Sequence, residues 1–350
     1  MKNKVVFWTH AYNAEKTIAK TIESILNQTL GGFTYYCLDN GSKDSTNTII
    51  REYAARDARI IPLYRPKNII CGIMHYLPLI LSQGDDGYLA VIDADDEYAP
   101  EFLKKMTNFA NENALDYAMC GTEYVNTDGT SRLDTPPKTL IFQGAGFSEH
   151  LPAYYKYATR LWGGLISIKM LAKTNIEAYS PPPTANFADV KIALKLLGYA
   201  TRGGLLAESL HKYYASPDQL SSSYTPDWFS MINELQEMLR AFILNYGPIS
   251  KKNEDYLHLR FLILLKYILP RLQNAEAPLK MRLQDLFTIF TDKKVKNFLS
   301  LDWKATGILT DKLVFLQENL DWAVKEIPKT DDEATKSVAN MFIYQLSNMI

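Results

Sequence analysis

Cysteine is scarce in this 350-residue chain, and its three positions, Cys37, Cys71 and Cys120, share no metal-ligand spacing. That excludes a disulfide framework and a zinc ribbon, and it fits reduced thiols packed among apolar neighbours in a cytosolic protein. Neither sign of charge is in excess. With 38 basic and 39 acidic side chains the net charge is −1, so nothing marks a nucleic-acid or polyanion binder. Long apolar runs are missing too: the greasiest stretch, residues 261–269, contains Lys266 and falls short of the roughly 20 residues a membrane span requires. Met1, Lys2, Asn3 and Lys4 lead directly into a strand with no apolar segment and small-residue cleavage site, so no signal peptide is expected and a cytoplasmic location is. No G-x-G-x-x-G follows the first strand, which disfavours a dehydrogenase, and no fixed-period repeat or low-complexity tract is present.

What the chain does contain is the stretch 88–100, YLAVIDADDEYAP. Its apolar run ends abruptly in Asp93, Asp95 and Asp96, which reads as a buried parallel strand tipped with acid. Carboxylates this close repel one another, and a cation or ligand hydroxyl relieves the repulsion. Hard oxygen ligands of this kind suit Mg²⁺ or Mn²⁺ held jointly with a substrate diphosphate; the competing interpretation is a solvated acidic loop.

Around that stretch, strands and helices alternate. Residues 5–8, 33–38 and 60–64 read as strands, with residues 72–83 as a third helix. Asn13 is expected to cap the first helix, and Asp44 or Ser45 the second. Such alternation implies a mostly parallel sheet covered on both faces, whose ligands bind beyond the carboxyl ends of the strands. The polar tips 9–13, 39–44 and 93–96 should therefore gather on one edge. Further along, residues 117–124 and 165–168 read as strands, 126–130 as a turn, 131–152 as a long surface loop, and 205–214 as an extended segment. From Pro226 onward apolar residues recur at helical spacing, so the expected division is a catalytic domain over 1–224 and an all-α region over 225–350.

With these landmarks in hand, the chain resembles a bacterial-type, inverting family 2 glycosyltransferase of the GT-A fold, a Rossmann-like α/β architecture. The carrying residues are Tyr12-Asn13-Ala14-Glu15, the run 22–29, the run 39–46 beginning Asp39-Asn40-Gly41-Ser42, and Ile92-Asp93-Ala94-Asp95-Asp96 with Pro100; Trp162-Gly163 and Phe187-Ala188-Asp189 are similar to later family landmarks. The resemblance covers roughly two-thirds of the chain and leaves the helical remainder out. It implies a nucleotide-sugar donor, a UDP-sugar foremost, bound by Thr9, Ala11, Tyr12, Asn13, Asp39, Asn40, Gly41, Ser42, Asp93, Ala94 and Asp95. Asp39 would accept from the base, and Mn²⁺ or Mg²⁺ would be held by Asp95 and Asp96, with His211 as an added nitrogen ligand. Asp189 matches the base that deprotonates the acceptor hydroxyl, although Ala188 stands where the family has glutamate. Trp162 is the candidate acceptor platform, whereas Tyr154, Tyr155 and Tyr157 are expected to serve as packing.

The expected acceptor is a glycan or lipid-linked saccharide in surface polysaccharide synthesis. The C-terminal helices are candidates for buttressing, for a homodimer interface, or for peripheral approach to the inner face of the plasma membrane. Two other functions compete: a catalytically silent nucleotide-sugar-binding or scaffold protein, kept open by Ala188, and a sugar-nucleotide pyrophosphorylase, disfavoured because residues 9–13 lack a glycine-rich, arginine-bearing loop. A phosphatase of the haloacid-dehalogenase type would need an aspartate where Asn126 stands, and an amide is no nucleophile.

Overall fold

A computed structural model describes residues 4–69, 72–84, 86–175, 187–216, 228–299, 312–326 and 332–347. Strand β1 (Lys4–Ala11) lies parallel to both β2 (Phe33–Asn40) and the later β4 (Gly87–Asp93), while β3 (Ile60–Arg65) runs parallel outside β2. The two-residue β5 (Glu97–Tyr98) follows the acidic tip. Next come β6 (Tyr117–Val125), β7 (Ser131–Asp134), β8 (Leu140–Gln143), β9 (Gly164–Ser167) and the long β10 (Arg202–Tyr214). The sheet order is β3-β2-β1-β4-β9-β6-β10-β5, with β7 paired to β6 and β8 to β10. The alternating half is parallel as its spacing implies, whereas β9 is antiparallel to both β4 and β6.

Helices α1 (Ile18–Leu26), α2 (Thr46–Arg56), α3 (Leu77–Leu81) and α4 (Phe102–Glu112) connect the first strands. Ile18, Ile22 and Ile25 of α1 and Phe102, Met106, Phe109 and Ala110 of α4 recur at helical spacing. They share one core with Val5, Phe7, Tyr35, Ala90 and Ile92. Each such side chain taken fully out of water contributes about 1.5–3 kcal/mol, which is why these strands read as continuous apolar runs.

Three local expectations are corrected. Asn13 does not cap α1; Thr17 occupies that position, and the Asn13 side chain serves another loop. The third helix is a 3-10 turn over Gly72–Tyr76 followed by the short α3, because Pro78 suits a first turn and Gly84 at φ 98° stops the chain. The stretch 131–152 is no open loop: it forms β7, β8, α5 (Gly146–Glu149) and the start of α6 (Leu151–Ala158). Phe142 there meets Phe147 edge-on at 5.0 Å and stacks on Tyr154 at 4.2 Å, so aromatic packing outweighs the proline and glycine punctuation. Tyr154, Tyr155 and Tyr157 are all buried, as packing residues should be.

Helices α7 (Ile168–Leu171) and α8 (Ala188–Leu197) complete the strand-bearing part. The chain divides into two compact units, Met1–Asp218 with Ala241–Pro248, and Gln219–Arg240 with Ile249–Ile350. After α9 (Trp228–Leu244), the second unit contains α10 (Lys251–Gln273), α11 (Leu279–Thr291), α12 (Lys293–Leu299), α13 (Lys312–Glu326) and α14 (Glu333–Ser347). Ser250 caps α10 by accepting from the Asn253 amide at 3.2 Å. Among the described residues no helix is long and apolar enough to cross a membrane. Cys37 and Cys120 are free and buried; Cys71, the proline run 181–183 and the expected boundary at Tyr224 lie outside the described residues.

Candidate active site

The edge where the strand ends converge is built around β1. His10 pairs in register with Asp93 of β4, and Ala11 with Asp39 of β2, so the two acidic tips flank one strand. At ~4.8 Å per strand they stand about 10 Å apart. The loops after β1 and β2 hold each other: the Asn13 amide donates to Ser42 Oγ (2.9 Å), the Lys43 amide to Asn13 Oδ1 (2.9 Å), the Glu15 amide to Asp44 Oδ2 (3.1 Å) and the Ser45 amide to Glu15 Oε2 (3.0 Å). Asn13 adopts φ 50°, a left-handed conformation that asparagine tolerates better than most residues. The side chains of Asn13 and Ser42 are thus committed to fixing the rim.

Asp39 is fully buried. Its Oδ1 accepts the Ser42 amide at 3.0 Å, while Oδ2 has no hydrogen-bond partner. An acceptor left unmatched at a cleft costs free energy until a ligand N–H meets it. Asn40 is locked from the other side, its Nδ2 donating to Asn68 Oδ1 (2.5 Å) and the Ile69 carbonyl (2.8 Å). Gly41 permits that approach: it sits at φ 81°, and a Cβ there would lie 2.8 Å from the Lys67 carbonyl carbon. Gly41→Ala is therefore expected to lower stability by about 1–2 kcal/mol in urea titration; an unchanged midpoint would show that the 67–69 segment yields freely. Of the remaining rim residues, Thr9 accepts from the Tyr35 hydroxyl (2.9 Å), and Ala11 and Ala94 belong to the core. Tyr12, which follows the last residue of β1, is 42% exposed.

On the other flank Asp93, Asp95, Asp96 and Asp189 form one electrostatic cluster. Burial, followed by the charges of Asp96, Asp189 and Asp95, holds the Asp93 carboxyl well above the usual range. Burial and then Asp95 do the same to Asp96, whose Oδ1 accepts the Tyr214 amide at 3.2 Å. His211 Nε2 stands 3.2 Å from Asp96 Oδ2, and neither atom has a well-formed hydrogen bond. Burial pushes the imidazole down to about 3, so the pair sits neutral. Two orphaned, buried ligand atoms at this separation suit a shared divalent cation. Among the described residues no three His, Cys, Asp or Glu side chains group as a metal cage, so a cation here would need oxygens from its ligand.

Asp189 lies in the first turn of α8 behind Phe187, which takes a left-handed φ of 62°. Asp189 is solvent-exposed, which is how an acceptor would reach it, while the surrounding protein desolvates the carboxyl and raises it against the pull of the helix N-terminus. Trp162 stacks on His211 with ring centres 4.2 Å apart, and the Arg160 guanidinium lies 4.7 Å from the Trp162 ring centre. Its closest involvement is thus with His211. Lys212 pairs with Glu123 at 3.3 Å.

Sequence patterns did not single out Tyr98, Arg160 or Asn68. The Tyr98 hydroxyl donates to the Val91 carbonyl (2.7 Å) and accepts the Gly163 amide (3.1 Å), tying the acidic strand to the Trp162 segment. Arg160 is held by Thr122 Oγ1 (3.2 Å) and by Asp134 (3.6 Å). These partners are remote in sequence, and no motif announces them.

Residues 9–168 match the family model described as Glycosyl transferase family 2. The uncharacterized glycosyltransferase EpsJ of Bacillus subtilis is 24% identical over 70% of this chain and 71% of its own length. The uncharacterized glycosyltransferase YibD of Escherichia coli is 22% identical over 61% of each. Among solved structures, S. aureus TarS 1-349 superposes with a TM-score of 0.62 at 14% identity, covering 99% of this chain and 90% of that one. The same TarS fragment in complex with UDP-GlcNAc gives 0.59. At this identity the likeness shows the shared fold.

Proposed function

On the match of residues 9–168 to the Glycosyl transferase family 2 model, we propose that this chain transfers a sugar from a UDP-sugar to a hydroxyl of a glycan or lipid-linked saccharide. Transfer proceeds in a single displacement that inverts the anomeric centre, in the service of surface polysaccharide synthesis. The observation that carries this proposal is the common rim: an orphaned Asp39 oxygen on one side of β1, and the Asp93, Asp96 and His211 groups with Asp189 on the other. A fold neighbour that holds UDP-GlcNAc favours uridine as the nucleoside.

In this mechanism Asp39 Oδ2 takes the N–H of the pyrimidine. Asp93 stands where ribose and diphosphate meet, and Asp96 and His211, with Asp95 beside them in the same acidic cluster, are the side chains that would hold Mn²⁺ or Mg²⁺ together with the diphosphate's own oxygens. Such a cation, when bound, offsets charge on the departing diphosphate. Asp189 accepts the acceptor hydroxyl's proton as its oxygen attacks the anomeric carbon, and the raised affinity of that carboxylate for a proton suits a base.

UDP is expected to raise the melting temperature weakly alone and clearly with Mn²⁺; at 100 times Kd, ligand binding adds about 2.7 kcal/mol. Equal shifts with and without the metal would remove the cation from the site. Donor identity follows from release of UDP across a panel of nucleotide sugars.

A further inference from the structure

His10 is a half-buried titratable group at the centre of the rim to which the mechanism above gives no task. It occupies the penultimate position of β1, paired in register with Asp93 on one side and with Leu38, next to Asp39, on the other. Register partners in parallel strands project from the same face, so His10 leaves the sheet on the side of Asp93. Alternation along β2 puts Asn40 on that face as well, and Asn40 pairs in register with Arg65 of β3.

Asn40 determines which nitrogen of His10 carries the proton. Its Nδ2 is spent on Asn68 Oδ1 and the Ile69 carbonyl, which fixes Oδ1 as the acceptor end; that oxygen also receives the Ile69 amide at 3.3 Å. His10 hydrogen-bonds to Asn40 and must do so as a donor. Its Nε2 is buried and has no hydrogen-bond partner, so the bonded nitrogen is Nδ1. Burial and the nearby Arg65 charge keep the imidazole neutral, with its pKa pushed down to about 4. A neutral imidazole whose Nδ1 carries the proton leaves a lone pair on Nε2. The tautomer is locked by a contact between β2 and the segment after β3.

We propose that His10 is a specificity residue for the donor nucleoside, its Nε2 accepting a hydrogen from a ribose hydroxyl, since the one N–H of uracil is taken by Asp39. An acceptor cannot pair with a carbonyl or a phosphate oxygen, so the group it reads must be a donor. Together with Asp39 Oδ2, the rim then offers two acceptors to the nucleoside, one a carboxyl oxygen and one an imidazole nitrogen. This inference rests on the nucleotide-sugar function proposed above.

The test is calorimetric binding of UDP, 2′-deoxy-UDP, 3′-deoxy-UDP and N3-methyl-UDP, with Mn²⁺ present, to wild type and to His10→Phe, His10→Gln and Asp39→Asn. While N3-methyl-UDP reports separately on Asp39, wild type should bind one of the two deoxy nucleotides about 10-fold more weakly than UDP, the scale of one hydrogen bond to a buried acceptor. His10→Phe should bind UDP about 10-fold more weakly than wild type and no longer distinguish UDP from that analogue. His10→Gln, which returns an acceptor at a similar reach, should restore the discrimination. The deoxy analogue whose penalty disappears tells the 2′ from the 3′ hydroxyl. If His10→Phe weakens UDP and every analogue by one common factor, or leaves all affinities unchanged, His10 is packing and the inference is overturned. Should wild type bind UDP and Asp39→Asn weaken it while His10→Phe behaves as wild type, only the role of His10 falls. Failure of wild type to bind any nucleoside diphosphate would remove the donor assignment and His10 with it.

Discussion

Asp189→Asn is expected to lower the transfer rate by about 10²–10⁴-fold, the range general-base catalysis contributes, while UDP affinity stays within about 3-fold of wild type. Asparagine preserves the shape of the side chain and its place in the first turn of α8, but it cannot take a proton. Asp189 acts on the acceptor rather than the nucleotide, so the loss should fall on kcat. Desolvation raises the Asp189 carboxyl above the ordinary carboxylate range. The active form is the ionised one, so wild-type transfer should decline as pH falls through that raised value, earlier than a free aspartate would dictate. Rates from UDP release with acceptor present, paired with calorimetric UDP titration, separate the two effects. A variant turning over at the wild-type rate would end the assignment of Asp189 as base, and one that also lost UDP would place it at the donor instead.

The parts of this site that were legible in the sequence are those where chemistry changes abruptly within a few residues. The run 89–92 is fully buried and stops at Asp93, so the strand and its acidic tip are visible together. Strand alternation then placed Asp39 and Asp93 on one rim, because parallel strands share an edge. What escaped depends on contacts between distant segments. Asn13 has the composition of a helix cap, but the Lys43 amide, 30 residues away, claims its side chain. His10 looks like any residue of the polar tip 9–13 until Asn68 orients Asn40, a bond spanning 28 residues. The stretch 131–152 has the prolines and glycines of a loop, and only the packing of Phe142, Phe147 and Tyr154 shows why it is ordered.

Asp96→Asn should stabilise the protein free of ligand while removing the metal-dependent gain from UDP. Asp96 is fully buried, its carboxyl held well above the usual range by burial first and by Asp95 next. Below about pH 4, near the ordinary aspartate value, both folded and unfolded chains keep the proton, and the residue costs little. As pH rises, the unfolded chain releases its proton near that value whereas the folded chain retains it until the raised pKa is passed, so wild-type stability falls across that window. Asparagine has no such slope and can still accept the Tyr214 amide at Oδ1. The variant's melting temperature should therefore exceed that of wild type by about 2 °C or more at pH 7.5, with the gap closing toward pH 4. Adding UDP and Mn²⁺ should reverse the order, because a cation relieves the acidic cluster in wild type and finds only His211 and Asp95 in the variant. A stable acidic cluster with no ligand to satisfy would behave otherwise: Asp96→Asn would then melt below wild type at neutral pH, and UDP with Mn²⁺ would shift both proteins alike. The strain carried by this rim is thus measurable as a stability that binding restores, which is how a site built for a charged ligand differs from an accident of surface acidity.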